Sequence, residues 1–271
     1  MKHNASIYGK MDENKKKVGG NMSLYEEIYQ NFQKKARNIN IKYVYVGIGY
    51  SGIILEDGSA GIAYTFFTEK SGCQLVDGRM DMDGRPAINL LEHIKNENSV
   101  MRSIAVALVN ALNHEDTKKM PDDDNTLFDR LGVNENTTIS MVGYFGPVIR
   151  ELEKKGVKEI DIIDNDRGIG EKGSFYSGLE SEPDIAILTS TSLLNGSFPE
   201  LSSHIKKNTK TVLMGPSTMM LPEIFKKYGI NFLAGTSVVD TENMFKFIRL
   251  GGGTPVLKNY GDKKLVDTGR L

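Results

Sequence analysis

TISMVGYFGPVIRELEKKGVKEIDIID, residues 138–164, decides the fold. Ile139 to Val142 is a short apolar run of the kind that lies buried on both faces at the centre of a parallel sheet. A turn follows, in which Gly143 and Gly146 bracket Tyr144 and Phe145, and Pro147 brings the fixed φ that suits the first position of a helix. From there Val148, Ile149 and Leu152 fall on one face, with charged residues between them, until Gly156. A second apolar run, Ile160 to Ile163, closes on Asp164. Strand, glycine turn, helix and strand ending in a carboxylate make the opening βαβ unit of a Rossmann-like α/β domain.

In an open parallel sheet, ligands bind beyond the carboxyl ends of the strands, where free N–H groups of helix N-termini favour an anion. Gly143, Tyr144, Phe145 and Gly146 lie at that edge, and so does Asp164, near the roughly 20-residue offset at which a dinucleotide fold places its ribose-binding acid. The turn departs from G-x-G-x-x-G: bulky rings replace small residues, and Pro147 removes a donor. Two readings remain, a nucleotide-binding turn and a structural strand-to-helix turn.

The other expected strands repeat the pattern. Asp184 to Leu188 runs into Thr189-Ser190-Thr191-Ser192 and then Leu193-Leu194-Asn195-Gly196; these hydroxyls and the amide either contact a ligand or cap the helix expected near Phe198. Lys210 to Met214 runs into Gly215-Pro216-Ser217-Thr218, before a helix opened by Pro222 and stopped by Gly229. Asn231 to Ala234 runs into Gly235-Thr236-Ser237, before a helix capped by Asp240 or Thr241. Three strands thus finish in glycine or hydroxyl residues at one edge. Residues 165–178, glycine-rich and charged, are expected to lie over that edge as a mobile loop.

Upstream the signals differ. Ser23 with Glu26 has capping-box spacing, and Leu24, Tyr25, Ile28, Tyr29 and Phe32 repeat at helical intervals as far as Arg37. Tyr43 to Tyr50, continued by Ser51 to Leu55, then a turn at Glu56 to Ser59 and Gly61 to Phe67, predict an antiparallel meander, because the connections are too short to hold crossover helices. Pro86 to Ile94 and Ser99 to Leu112 predict helices, the second apolar almost all round and enclosing Asn110, whose amide is either a fixed structural bond or a ligand contact. Cys73 to Asp83 is expected as a surface loop. Its Asp77, Asp81 and Asp83, with Glu92, imitate a calcium loop but put Gly84 and Pro86 at the wrong positions.

The chain of 271 residues has room for two domains, and its 39% hydrophobic and 25% charged residues are ordinary for a globular protein. The expected organisation is a disordered extension over 1–21, an α+β part over 22–125, the Rossmann-like domain over 126–257 and a polar tail over 258–271, with a start at Met22 compatible with it. Lys and Arg number 34 against 35 for Asp and Glu, so no basic field is available for nucleic acid. No membrane span is expected, and the single Cys73 suits a cytoplasmic setting.

VGYFGPV at 142–148, LTSTSLLNGS at 188–197, LMGPSTMMLPEIF at 213–225 and the stretch from LAGTSVVD at 233 through LGGGTP at 255 together resemble the putative heavy-metal-chelation domain family. Members of that family are similar to a Rossmann fold and commonly carry a part like the N-terminal domain of enolase. VGIGYSGIIL at 46–55, GIAYTF at 61–66 and VNAL at 109–112 resemble that second part. The resemblance implies the fold, a site region and a connection with metals or metal-containing cofactors. The residues themselves offer little for a bare metal: His3, His93, His114 and His204 are scattered, and one cysteine makes no thiolate cage.

Three classes of function follow. The first is a small-molecule binding protein for an anionic ligand, a metal chelate or a metal-containing cofactor. It would use Gly143 to Gly146, Asp164, Thr189, Thr191, Asn195, Gly215, Pro216 and Ser217. The second is an enzyme, a transferase or oxidoreductase, with a nucleotide-type cofactor; no nucleophile elbow or paired histidine and carboxylate supports it directly. The third is an interaction module in which the upstream part forms a homodimer.

Overall fold

Residues 22–67 and 81–269, described by a computed structural model, build two sheets. The first is the meander β1 (Ile41–Val46), β2 (Tyr50–Leu55) and β3 (Ala60–Tyr64), antiparallel throughout. The second holds β4 (Ile139–Val142), β5 (Ile160–Ile163), β6 (Ile185–Thr189), β7 (Lys210–Met214), β8 (Phe232–Val238) and β9 (Gly261–Asp267), in the order β5-β4-β6-β7-β8-β9. Its first five strands are parallel, and β9 runs against β8. This is the doubly wound α/β architecture expected, with the chain reversing its direction of strand addition between β4 and β6.

The upstream part is assembled by close approach. Ser23 Oγ accepts the Glu26 N–H at 3.3 Å and starts the helix Leu24–Arg37, which buries Leu24, Ile28, Phe32 and Ala36. Asn98 caps the helix Ser99–Leu112 by accepting from the N–H groups of Val100 and Met101. Nearly every side chain of that helix is buried, as its all-round apolar pattern requires. Gly61 lets β3 rest directly on it: a Cβ there would lie 2.1 Å from the Ala111 nitrogen. Asn110 Nδ2 donates to the Ile62 carbonyl at 2.9 Å, which is the structural reading of that amide.

One apolar cluster joins both parts of the chain, bringing Ile28, Ile53 and Leu108 together with Leu193, Phe198 and Phe225. The two sheets therefore share a core. A second cluster, under β4 and β6 to β8, holds Met141, Leu152, Ile187 and Phe232.

Several expectations need correction. The β run from Tyr43 to Tyr50 stops at Val46, and Gly47 to Gly49 form a tight turn pressed on the Ile248–Gly253 backbone; a Cβ at Gly47 would lie 2.5 Å from the Ile248 carbonyl oxygen. The 86–94 helix is reduced to an α-turn, Ile88–Leu91, and a 3-10 turn, Glu92–Lys95. The mobile loop expected over 165–178 holds a 3-10 turn, Asn165–Arg167, and the helix Lys172–Glu180. Glu171 caps that helix by accepting from the Gly173 and Ser174 N–H groups, bonds that hold its carboxyl below the usual range.

The polar tail expected over 258–271 instead supplies β9. Leu265 is buried there, and Lys264 turns inward, its Nζ donating to the carbonyls of Lys118 and Met120 and to Asp122 Oδ1. A buried ammonium with three acceptors is satisfied, so a polar sequence can close a sheet edge. Of the calcium imitation, Cys73 and Asp77 fall outside the described residues, and Asp83 Oδ1 accepts the Val44 N–H at 2.8 Å.

Candidate functional site

The turn after β4 and the end of β6 touch. Gly143 adopts φ 87°, and a Cβ on it would sit 3.0 Å from Thr189 Cβ, so the position requires both a left-handed conformation and the absence of a side chain. Between these two loops, at the carboxyl edge, opens a cleft of about 510 Å³. Gly143, Tyr144, Phe145, Asp164, Thr189, Thr191 and Asn195 all line it. Tyr64 and Phe66, from the end of β3 and just beyond it, complete the wall from the upstream part.

The hydroxyls after β6 divide in two. Ser190 and Ser192 are buried, and Ser192 Oγ turns back to the Thr189 carbonyl at 2.6 Å. Thr189 and Thr191 share a hydroxyl contact of 3.0 Å and face the cleft, with Asn195 beyond them. Asn195 Oδ1 accepts from the Ser197 N–H at 2.9 Å and hydroxyl at 2.7 Å, leaving its amide nitrogen without a partner in this bond pair.

Asp164 is engaged. Its Oδ2 accepts the Tyr144 N–H at 2.9 Å and its Oδ1 accepts the Arg167 N–H at 3.1 Å. The carboxylate thus braces the turn, where a ribose-binding acid would have an oxygen to spare.

Sequence reasoning missed both cations. Arg167 places its guanidinium 5.0 Å over the Tyr144 ring and its Nε 3.6 Å from Asp164, and Lys172 pairs with Glu200 at 3.0 Å while lying 5.2 Å from the Tyr176 ring. Tyr176 is pushed up to about 12 by burial and by the Glu200 carboxylate, so its phenol keeps its proton. The sequence held little signal for them: Glu171 caps the helix that carries Lys172, but glutamate is not among the residues that ordinarily mark an N-cap.

The remaining candidates lie elsewhere. Gly146 opens the helix Gly146–Lys154 and is not on the cleft wall. Gly215 borders a separate hollow of about 220 Å³ with Met214, Gly235 and Thr236. Ser217 is buried, and its Oγ accepts the Tyr64 N–H at 2.8 Å. That loop joins the two sheets.

The described residues hold no group of three or more His, Cys, Asp or Glu arranged for a metal ion. His114 Nδ1 contacts the Ala60 carbonyl and His204 Nδ1 contacts Glu180, so these imidazoles serve local structure. Nor is any helix among these residues long and apolar enough to cross a membrane. The donor set does not fit a bare soft metal ion, which takes thiolate or clustered imidazole.

A doubly wound sheet joined through its core to a helix-backed meander, with a cleft at the switch point, defines a two-part α/β protein with a ligand-sized site. The chain belongs to the family described as putative heavy-metal chelation, whose models match residues 126–267 and 29–113. An uncharacterized protein of Methanocaldococcus jannaschii is 25% identical over 224 residues, 79% of this chain and 85% of that protein. Two crystal structures of members with unknown function share the fold. The one from Pyrococcus horikoshii has a TM-score of 0.70 at 19% identity, covering 90% of this chain and 100% of that one. The one from Desulfitobacterium hafniense has a TM-score of 0.72 at 20% identity, covering 90% and 98%.

Proposed function

We propose that this protein binds a small molecule bearing an anionic group on a flat or apolar body, such as a metal chelate or a metal-containing cofactor, in the cleft between the loops after β4 and β6. The observation that carries the reading is the convergence of three kinds of group around that cleft. Tyr64, Phe66, Tyr144 and Tyr176 offer ring faces; Thr189, Thr191 and Asn195 offer short polar side chains; Arg167 and Lys172 bring positive charge, each beside a carboxylate of the same wall, Asp164 and Glu200, with Asp166 also lining it. On this reading a heavy metal arrives already held by its organic ligand, since the donor set suits the anion better than the ion.

The alternative is an enzyme with a nucleotide-type cofactor. Strand order favours it, because the switch point of such sheets is where nucleotides bind. The engagement of Asp164 weighs against a dinucleotide held in the usual way.

Calorimetry and thermal-shift measurements with metal ions alone, metal–citrate chelates, corrinoids and nucleotides separate these readings. An anionic chelate or corrinoid is expected to stabilise the protein where the ion alone does not. Asn195→Ala should weaken that binding about tenfold, the loss of one or two hydrogen bonds to a charged group. Stabilisation by the bare ion alone, or no response across the whole panel, would overturn the proposal.

A further inference from the structure

Arg102 lies within the helix Ser99–Leu112 and is buried, with 7% of its surface exposed. Its Nη1 donates to the Leu194 carbonyl at 2.9 Å, its guanidinium lies 5.1 Å from the Tyr25 ring, and its Nε has no partner. Among the described residues it forms no ion pair with a carboxylate. A cation taken out of water without a counter-charge is unfavourable, so such an arrangement needs a reason in the structure around it.

That reason is the loop it supports. Gly196 has φ 80°, and a Cβ there would lie 2.7 Å from Nη1 of Arg102. The guanidinium therefore stands directly behind the backbone between Asn195 and Ser197, both of which line the cleft. The same helix fixes a second part of the wall: Ser99 Oγ donates to the Phe66 carbonyl at 2.9 Å, and Ser103 Oγ accepts the Phe66 N–H at 3.1 Å.

Resting on the anion-binding reading above, we propose that Arg102 is a positioning residue that fixes the Thr191–Ser197 arm and supplies a buried positive charge biasing the cleft toward anions. It acts through Leu194 and Gly196 and does not itself touch the ligand. Its planar fork reaches the carbonyl while its charge, screened little by water, acts across one thickness of backbone.

Isothermal titration of the full chain with AMP, inorganic pyrophosphate and uncharged adenosine tests this in the wild type, Arg102→Lys and Arg102→Met, with amide hydrogen exchange at residues 191–197 measured in each. The wild type is expected to prefer AMP to adenosine. Arg102→Met should reduce that preference at least tenfold and speed exchange at 191–197 while the β6 and β7 amides stay protected. Arg102→Lys should keep the preference but show the faster exchange, because an ammonium keeps the charge and loses the fork. An unchanged AMP-to-adenosine ratio in Arg102→Met overturns the electrostatic role, and unchanged exchange overturns the positioning role. If the wild type binds none of the probes, the electrostatic role falls, the ligand panel still decides the anion reading, and exchange still decides the positioning role. Should Arg102→Met fail to fold, unchanged exchange in Arg102→Lys is the overturning result.

Discussion

The loops after β6 and β7 carry the same kind of residue and meet opposite fates. Thr189, Thr191 and Asn195 face an open cleft, whereas Ser217 and Thr218, one strand along, are each 1% exposed, and Ser217 is bonded to the other sheet. Composition does not distinguish them. Strand order does: β6 is the neighbour of β4 across the switch point, so its loop diverges from the β4 turn and leaves a crevice. The loop after β7 has no such divergence beside it, and the end of β3 fills the space by donating the Tyr64 N–H to Ser217. Small polar residues at a strand end thus serve equally as a binding rim or as a joint.

The largest effect expected from this contrast is at Gly215. It sits at φ 131°, and a Cβ would lie 2.4 Å from Ser190 Oγ, so the β7 loop and the base of the β6 loop are packed as one unit. Gly215→Ala should cost about 3 kcal/mol, combining backbone strain with overpacking. Thermal denaturation should show the melting point falling by roughly 6–12 °C. A loss under about 1 kcal/mol would mean that the β7 loop is free to move, and the joint half of the comparison would fail.

The β6 loop is tied from below as well, by Tyr25, whose hydroxyl donates to the Leu193 carbonyl at 2.9 Å. Burial pushes this phenol up to about 12, against an opposing pull from Arg102. A folded-state value above the ordinary 10 adds stability that is complete below pH 10 and is lost as pH rises toward about 12, since the unfolded chain ionises first. The loss over that window should be about 2–3 kcal/mol. Tyr25→Phe should cost about 1 kcal/mol at pH 8 and then show a smaller fall between pH 10 and 12 than the wild type. Denaturant titrations at intervals from pH 8 to 12 check this, with Tyr176→Phe as a control for the other phenol raised to about 12. Equal alkaline losses in Tyr25→Phe and wild type would remove Tyr25 as an anchor of the arm.

How much of this could be read beforehand differs between the architecture and the site. The βαβ unit from Ile139 to Asp164 was legible because strand, turn, helix and strand are each local patterns. The helix Ser99–Leu112 has the bounds its sequence predicts, since a run that is apolar all round has one way to be buried. β9 was not legible: its Asp262, Lys263 and Lys264 read as tail, and only pairing with β8 and the acceptors around Lys264 make it a strand. At the site, local sequence marked the strand ends, but the separation of Ser217 from Thr189 depends on strand order, a non-local property. Tyr64 and Phe66 reach the cleft through the packing of two sheets, which no single segment encodes.

The smallest effect expected is the most direct test of joint against rim. Ser217→Ala removes the acceptor for the Tyr64 N–H and leaves a buried donor unpaired, so it should cost about 1–2 kcal/mol. Thr191→Ala, by contrast, removes a half-buried hydroxyl whose partner Thr189 Oγ1 also contacts the Thr191 N–H, so it should shift stability by no more than about 0.5 kcal/mol. Binding of an anionic chelate or nucleotide identified in the ligand panel should respond in the reverse order, weakened several-fold by Thr191→Ala and less than about twofold by Ser217→Ala. Phe66 keeps its own bonds to Ser99 and Ser103, so loosening Tyr64 leaves one aromatic wall in place. If Ser217→Ala abolishes binding while stability holds, the β7 loop belongs to the rim after all, and strand order has lost its power to tell the two loops apart.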